Sequence, residues 1–184
     1  MKKLAFVLPV AVAATLGWSG AISPVFAETA APAQAVQKQG TIEHMKTVRI
    51  GGNSITVFET WFNPSTGLER YDKLHYSKKT TELSKETRFS NNESSLFERT
   101  IKRYQNESFW KSIGVVTVNG KQVELLKGNG EPKGDPVYRI AYIDQSTRLP
   151  IKEEDYNSKD EVMTVYLYFF DRIHDETGEI FQKK

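Results

Sequence analysis

EVMTVYLYFFDRI, residues 161–173, stands out in a chain that is otherwise polar. Strand side chains alternate between two faces with a period of two. One face then carries Met163, Val165, Leu167 and Phe169, the other Val162, Thr164, Tyr166, Tyr168 and Phe170. An antiparallel strand commonly keeps one wet face, but here neither face is plainly wet. The stretch therefore predicts a strand in a sheet covered on both sides. Its aromatic face needs a cover, which is more protein, a partner or a ligand.

Outward from this strand the punctuation is that of tight turns. Leu149 to Tyr156 reads as a strand before the turn Asn157-Ser158-Lys159-Asp160, and Val137 to Ile143 as a strand before Asp144-Gln145-Ser146-Thr147. On the latter strand Tyr138, Ile140 and Tyr142 share a face, and Val137, Ala141 and Ile143 share the other. Residues 127–136, KGNGEPKGDP, read as a loop. Asn119-Gly120 between Val115–Val118 and Lys121–Leu126 is the signature of a type I′ hairpin. Further upstream, Lys46 to Ile50, Ser54 to Phe62 and Leu68 to Tyr76 are strands. Gly51-Gly52-Asn53 and Asn63-Pro64-Ser65-Thr66-Gly67 are the turns between them. In Ser54–Phe62, Ile55, Val57 and Trp61 point one way, and Phe58 and Phe62 the other.

Residues 77–112 admit two readings. Ser95-Leu96-Phe97-Glu98 fits a capping box, and Phe97, Ile101 and Tyr104 follow at helical spacing. FERTIKRY also alternates acceptably as a strand, and the cap favours the helix. A second short helix is expected over Glu107 to Ile113. The fold class is mainly β (α+β): a curved antiparallel sheet or half-barrel with one or two covering helices. A single domain over 45–184, with a helical insert near 92–113, accounts for seven or eight strands.

The N-terminus carries its own signal. Lys2 and Lys3 precede an apolar run from Leu4 to Trp18, and Pro24 precedes Val25-Phe26-Ala27, a small-x-small pattern. Residues 1–27 are expected to be a secretory signal peptide, cleaved near Ala27. The run is shorter than the roughly 20 residues that span a bilayer. Residues 28–44 read as a flexible leader or short helix. Losing 1–27 removes two lysines from the 25 Lys and Arg and none of the 23 Asp and Glu. The remaining net charge is zero, which argues against nucleic acid as a partner. No cysteine is present, so disulfides and thiol catalysis are excluded. The chain must be stabilised by its own core, and export without disulfides points to a bacterial secreted or cell-envelope protein.

No catalytic constellation emerges. No phosphate loop or nucleophile elbow is present. His44, His75 and His174 lie in separate segments, which predicts surface polar residues and no metal site. Glu153 and Asp155 share one face and Glu154 the other, which predicts an edge strand kept soluble by charge. No cofactor is expected. The distinctive material is aromatic: Phe58, Trp61, Phe62, Phe97, Trp110, Tyr138, Tyr142, Tyr166, Tyr168 and Phe170.

VFETWFNPSTGLERYDKL, residues 57–74, resembles the second hairpin of the periplasmic lipoprotein-carrier and envelope-stress-sensor (LolA-like) superfamily. YRIAYIDQSTRLPIKEEDYNSKDEVMTVYLYFFDRI, residues 138–173, resembles its later strands, in which a D-x-x-T-x-L-P turn precedes a charged strand and then an apolar one. The resemblance implies an open half-barrel whose helices plug an apolar cavity for acyl chains. The ten aromatic residues above would then line that cavity. It implies a non-enzymatic exported protein that binds a lipid or other apolar small molecule. The alternative is a secreted interaction module with a filled core, whose partner is a protein of the envelope.

Overall fold

The computed structural model describes residues 40–131 and 134–182. The expected signal peptide and most of the expected leader lie outside the described residues. The strands are β1 (Thr41–Gly51), β2 (Ser54–Phe62), β3 (Leu68–Ser77), β4 (Glu82–Asn91), β5 (Trp110–Val118), β6 (Lys121–Asn129), β7 (Tyr138–Asp144), β8 (Pro150–Tyr156) and β9 (Val162–His174). The helix α1 (Leu96–Tyr104) stands between β4 and β5, and a 3-10 turn (Glu179–Phe181) follows β9.

All nine strands form one open antiparallel sheet in the order β4-β3-β2-β1-β9-β8-β7-β6-β5. Two meanders, β4 to β1 and β9 to β5, join where β1 pairs with β9 from Thr41↔His174 to Gly51↔Thr164. The local hairpins follow their turn chemistry. Asn119 and Gly120 both adopt positive φ, 50° and 79°, as a type I′ turn requires. Gly67 has φ 72°, and an added Cβ there would meet the Asn92 carbonyl oxygen at 2.8 Å. Only glycine combines that backbone with so close an approach.

Several expectations are corrected. Thr41 to His44, expected in the leader, already belong to β1 and pair with β9. β4 is an addition to the expected strands: in ELSKETRFSN, an exposed edge strand, only Leu83 and Phe89 are apolar and charges stand on both faces, so alternation marks it weakly. The helix replaces the strand alternative for FERTIKRY: Ser95 Oγ accepts from the Glu98 N–H, as the capping box predicts. The second helix, over 107–113, is absent. Trp110 instead opens β5, because its ring buries against the sheet. β8 lies between β7 and β9 and is not an edge.

Eighteen residues, 92–109, carry the chain from the β4 edge to the β5 edge, across one face of the sheet. This crossing places α1 on that face, here the helix face. At its far end Tyr104 packs with Trp110, Leu126, Ala141 and Ile143 in a buried cluster, with Phe109 alongside. Gly128 lies directly beneath, where a Cβ would stand 2.6 Å from the Trp110 ring and 2.7 Å from that of Phe109. Gly128→Ala is therefore expected to cost about 1–3 kcal/mol by overpacking. Thermal melts should show the midpoint fall by about 2–4 °C per kcal/mol for a chain of this size.

Candidate ligand groove under the crossing helix

Helix α1 is held to the sheet by a carboxylate at each end. At its N-terminus, Glu43 of β1 accepts from Ser95 Oγ at 2.8 Å and from the Phe97 N–H at 3.2 Å. A buried carboxylate there meets the free amides and positive dipole end of the helix. At its C-terminus, Glu153 of β8 accepts from the Tyr104 hydroxyl at 2.6 Å, and Arg103 Nη2 lies 3.4 Å away. Glu153 is only 1% exposed. The acid expected to solvate an edge strand is thus a buried anchor, because β8 is central and its odd residues face the helix. Around it lie the Tyr168 hydroxyl at 3.5 Å and Arg139 Nη1 at 3.8 Å, and Arg139 Nε approaches Asp155 at 3.3 Å. Burial raises the pKa of the Tyr104 phenol, with the charge of Glu153 acting the same way. It therefore serves as a neutral donor to Glu153.

Between these anchors the helix leaves space on both flanks. One cavity, of about 800 Å³, lies beside Phe97 and Ile101 and is floored by Ile151, Tyr168 and Phe170, with Leu149 and Pro150 opposite. Glu43, Glu98, Asp171 and Arg172 stand among its lining residues. The other, of about 260 Å³, lies beside Thr100 and is lined by Met45, Thr47, Phe58, Tyr71 and Tyr166. Tyr168 borders both. Phe97 meets Phe170 edge-on at 5.4 Å between ring centroids, a favourable aromatic geometry.

Of the ten aromatic residues singled out, Phe58, Phe97, Tyr166, Tyr168 and Phe170 line these two cavities. Phe62, on the same face, is 2% exposed beneath the Arg99 guanidinium. Trp110 is buried in the cluster at the helix C-terminus and borders a third, polar cavity with Lys111, Glu124 and Arg148. Trp61, Tyr138 and Tyr142 are placed on the opposite face. The period of two that turns Phe58 and Phe62 toward the helix turns Trp61 away, and Ala141 and Ile143 toward the helix do the same to Tyr138 and Tyr142. Trp61 stacks on His44 there, with Arg70 over its ring and the Arg70 Nη1 donating to the Ile180 carbonyl. His44, expected at the surface, is mostly covered and bonds Asp171 at 2.7 Å. Tyr142 donates to Glu154 and carries Lys152 over its ring, while Tyr138 stacks on Tyr156. Ile101, read in the sequence only as a helical position, and Leu149 and Ile151, read only as the start of a strand, also line the larger cavity; isolated aliphatic residues carry no signal that separates a cavity wall from a core.

No family model matches the chain, and no curated protein matches it in sequence. Solved structures do align with it. The complex of Pseudomonas aeruginosa MucA and MucB gives a TM-score of 0.49 at 13% identity, over 80% of this chain and 57% of the other. An uncharacterised conserved protein from Thermus thermophilus gives 0.46 at 12% identity, over 78% and 86%. A LolA superfamily protein from Nitrosomonas europaea gives 0.28 at 8% identity, over 80% and 91%. It is a likeness of fold alone. The chain spans 54% to 58% of the length of the MucB chains. Among the described residues, no helix is long and apolar enough to cross a membrane.

Proposed function

We propose that this protein is an exported, non-enzymatic binding protein of the cell envelope that holds a lipid or other apolar small molecule under α1. The observation that carries the reading is the pair of cavities flanking a helix anchored at both ends. The larger, at about 800 Å³, falls within the range of small-molecule sites and combines an apolar floor with charged groups among its lining residues. An acyl or similar chain would lie on Phe97, Ile101, Leu149, Ile151 and Phe170, gaining roughly 25 cal/mol per Å² of apolar surface buried. Its polar end would meet the charged residues. No proton transfer or covalent step is required.

Native mass spectrometry of the protein recovered gently from a bacterial envelope tests this. The expected result is added mass that extracts into organic solvent. Ile101→Trp fills the larger cavity and is expected to abolish the added mass while the melting midpoint holds. Bare protein mass, with no uptake of added oleate or phosphatidylglycerol, would overturn the reading and turn attention to a protein partner.

A further inference from the structure

The two edges of the open sheet are treated differently by the sequence. β4, at one edge, carries four charged residues, Glu82, Lys85, Glu86 and Arg88, within ten. Charges on an edge strand oppose pairing with another chain. β5, at the other edge, is bonded only to β6 in the sheet and carries a single charge, Lys111, near its start. From Ser112 to Val118 it reads SIGVVTV, without charge or proline. Ile113 and Val115 are about half exposed, at 53% and 51%, and Val116 is 38% exposed. A bulge at Ser112/Gly114 leaves Ile113 out of register with β6, and pairing then runs regularly from Gly114 to Val118.

We propose that β5 is the seam of a homodimer, in which two copies join their sheets edge to edge and antiparallel with the two-fold axis at Val115. Edge addition supplies main-chain hydrogen bonds, with alternate side chains setting specificity. A second copy fits because a two-fold axis pairs a strand with itself in the antiparallel sense. Self-pairing there brings no like charges together: residues 112–118 are neutral, and Lys111 falls opposite the uncharged Asn119-Gly120 turn. Val116, whose partner on β6 is Val123, and Val115, whose partner is Glu124, lie on opposite faces. Val115 would meet its own copy on one face, and Val116 would stand opposite Gly114 on the other. The same pairing at β4 would set several charged side chains against one another.

Sedimentation velocity across a wide range of protein concentration, with hydrogen exchange at residues 114–118, tests the seam. The wild type is expected to shift to twice its monomer mass as concentration rises, with those amides gaining protection in step. Val115→Lys and Val115→Glu should each remain monomeric with unchanged circular dichroism, and mixing the two should restore the dimer. A wild type that stays monomeric throughout overturns the proposal. So does a dimer that survives in both variants, or a monomer whose edge amides are already protected.

Discussion

Replacing Arg139 by methionine is expected to remove about 3–5 kcal/mol of stability at neutral pH, the cost of breaking a buried ion pair from one side. Arg139 reaches from β7 toward two carboxylates on β8, Glu153 at 3.8 Å and Asp155 at 3.3 Å, which are 1% and 6% exposed. Arg103 stays beside Glu153 but is half exposed, and it makes no ion pair with Asp155. The penalty also has a sign with pH. Burial, with Glu153 adjacent, raises the Asp155 pKa, and Arg139 holds the rise in check. A carboxyl group whose pKa is raised on folding gives stability at low pH that is lost as pH rises through the raised value. Removing Arg139 enlarges that loss, so the gap between variant and wild type should be widest at neutral pH and narrow on acidification.

Other carboxylates run the opposite way. Asp144 is held low by the Ser146 hydroxyl and amide despite its burial. Partial burial acts to raise the Asp72 pKa, but its bonds to Arg70 outweigh this. Both stabilise the fold above the ordinary aspartate pKa, and that stability is lost as pH falls through their depressed values. Urea midpoints at about pH 7 and about pH 5 separate the two behaviours. A gap that ignores pH would mean that Arg139 acts through packing and not through charge.

Trp110→Ala should cost a similar amount, about 3–5 kcal/mol, as a large aromatic residue removed from a core that cannot collapse around the space. Trp110 is 4% exposed, with Tyr104 at 5.2 Å and Phe109 at 5.0 Å between ring centroids. Its loss also removes the surface on which the C-terminal end of α1 rests, so near-ultraviolet circular dichroism should fall along with stability. Trp110→Phe, which keeps most of the apolar contact, should recover much of both. Near-native stability in the alanine variant would show that Glu153 alone holds the helix end.

What could be read from the chain was local. Asn119-Gly120, the proline turn at Asn63–Gly67, and Asp144 with its Ser146 and Thr147 bonds each set a hairpin by the chemistry of a few adjacent residues. The Ser95 cap did the same for α1. Alternation correctly separated Trp61 from Phe58 and Phe62, and Tyr138 and Tyr142 from Ala141. It could not tell which set faces the helix, because both faces of these strands carry apolar side chains. β4 escaped because an exposed edge strand needs no apolar face at all.

The sequence by itself determined the antiparallel hairpins, the capped helix and the aromatic character of the central strands, since turn and cap energetics act over a few residues. Only the tertiary structure decided the sheet order, and with it the fates of Glu153 and Glu43. The pairing of β1 with β9 joins residues more than a hundred positions apart. That pairing joins the two meanders into one sheet, and the crossing from β4 to β5 lays α1 over β8. A glutamate is buried or solvated according to what lies above it, and no neighbour in sequence reports that.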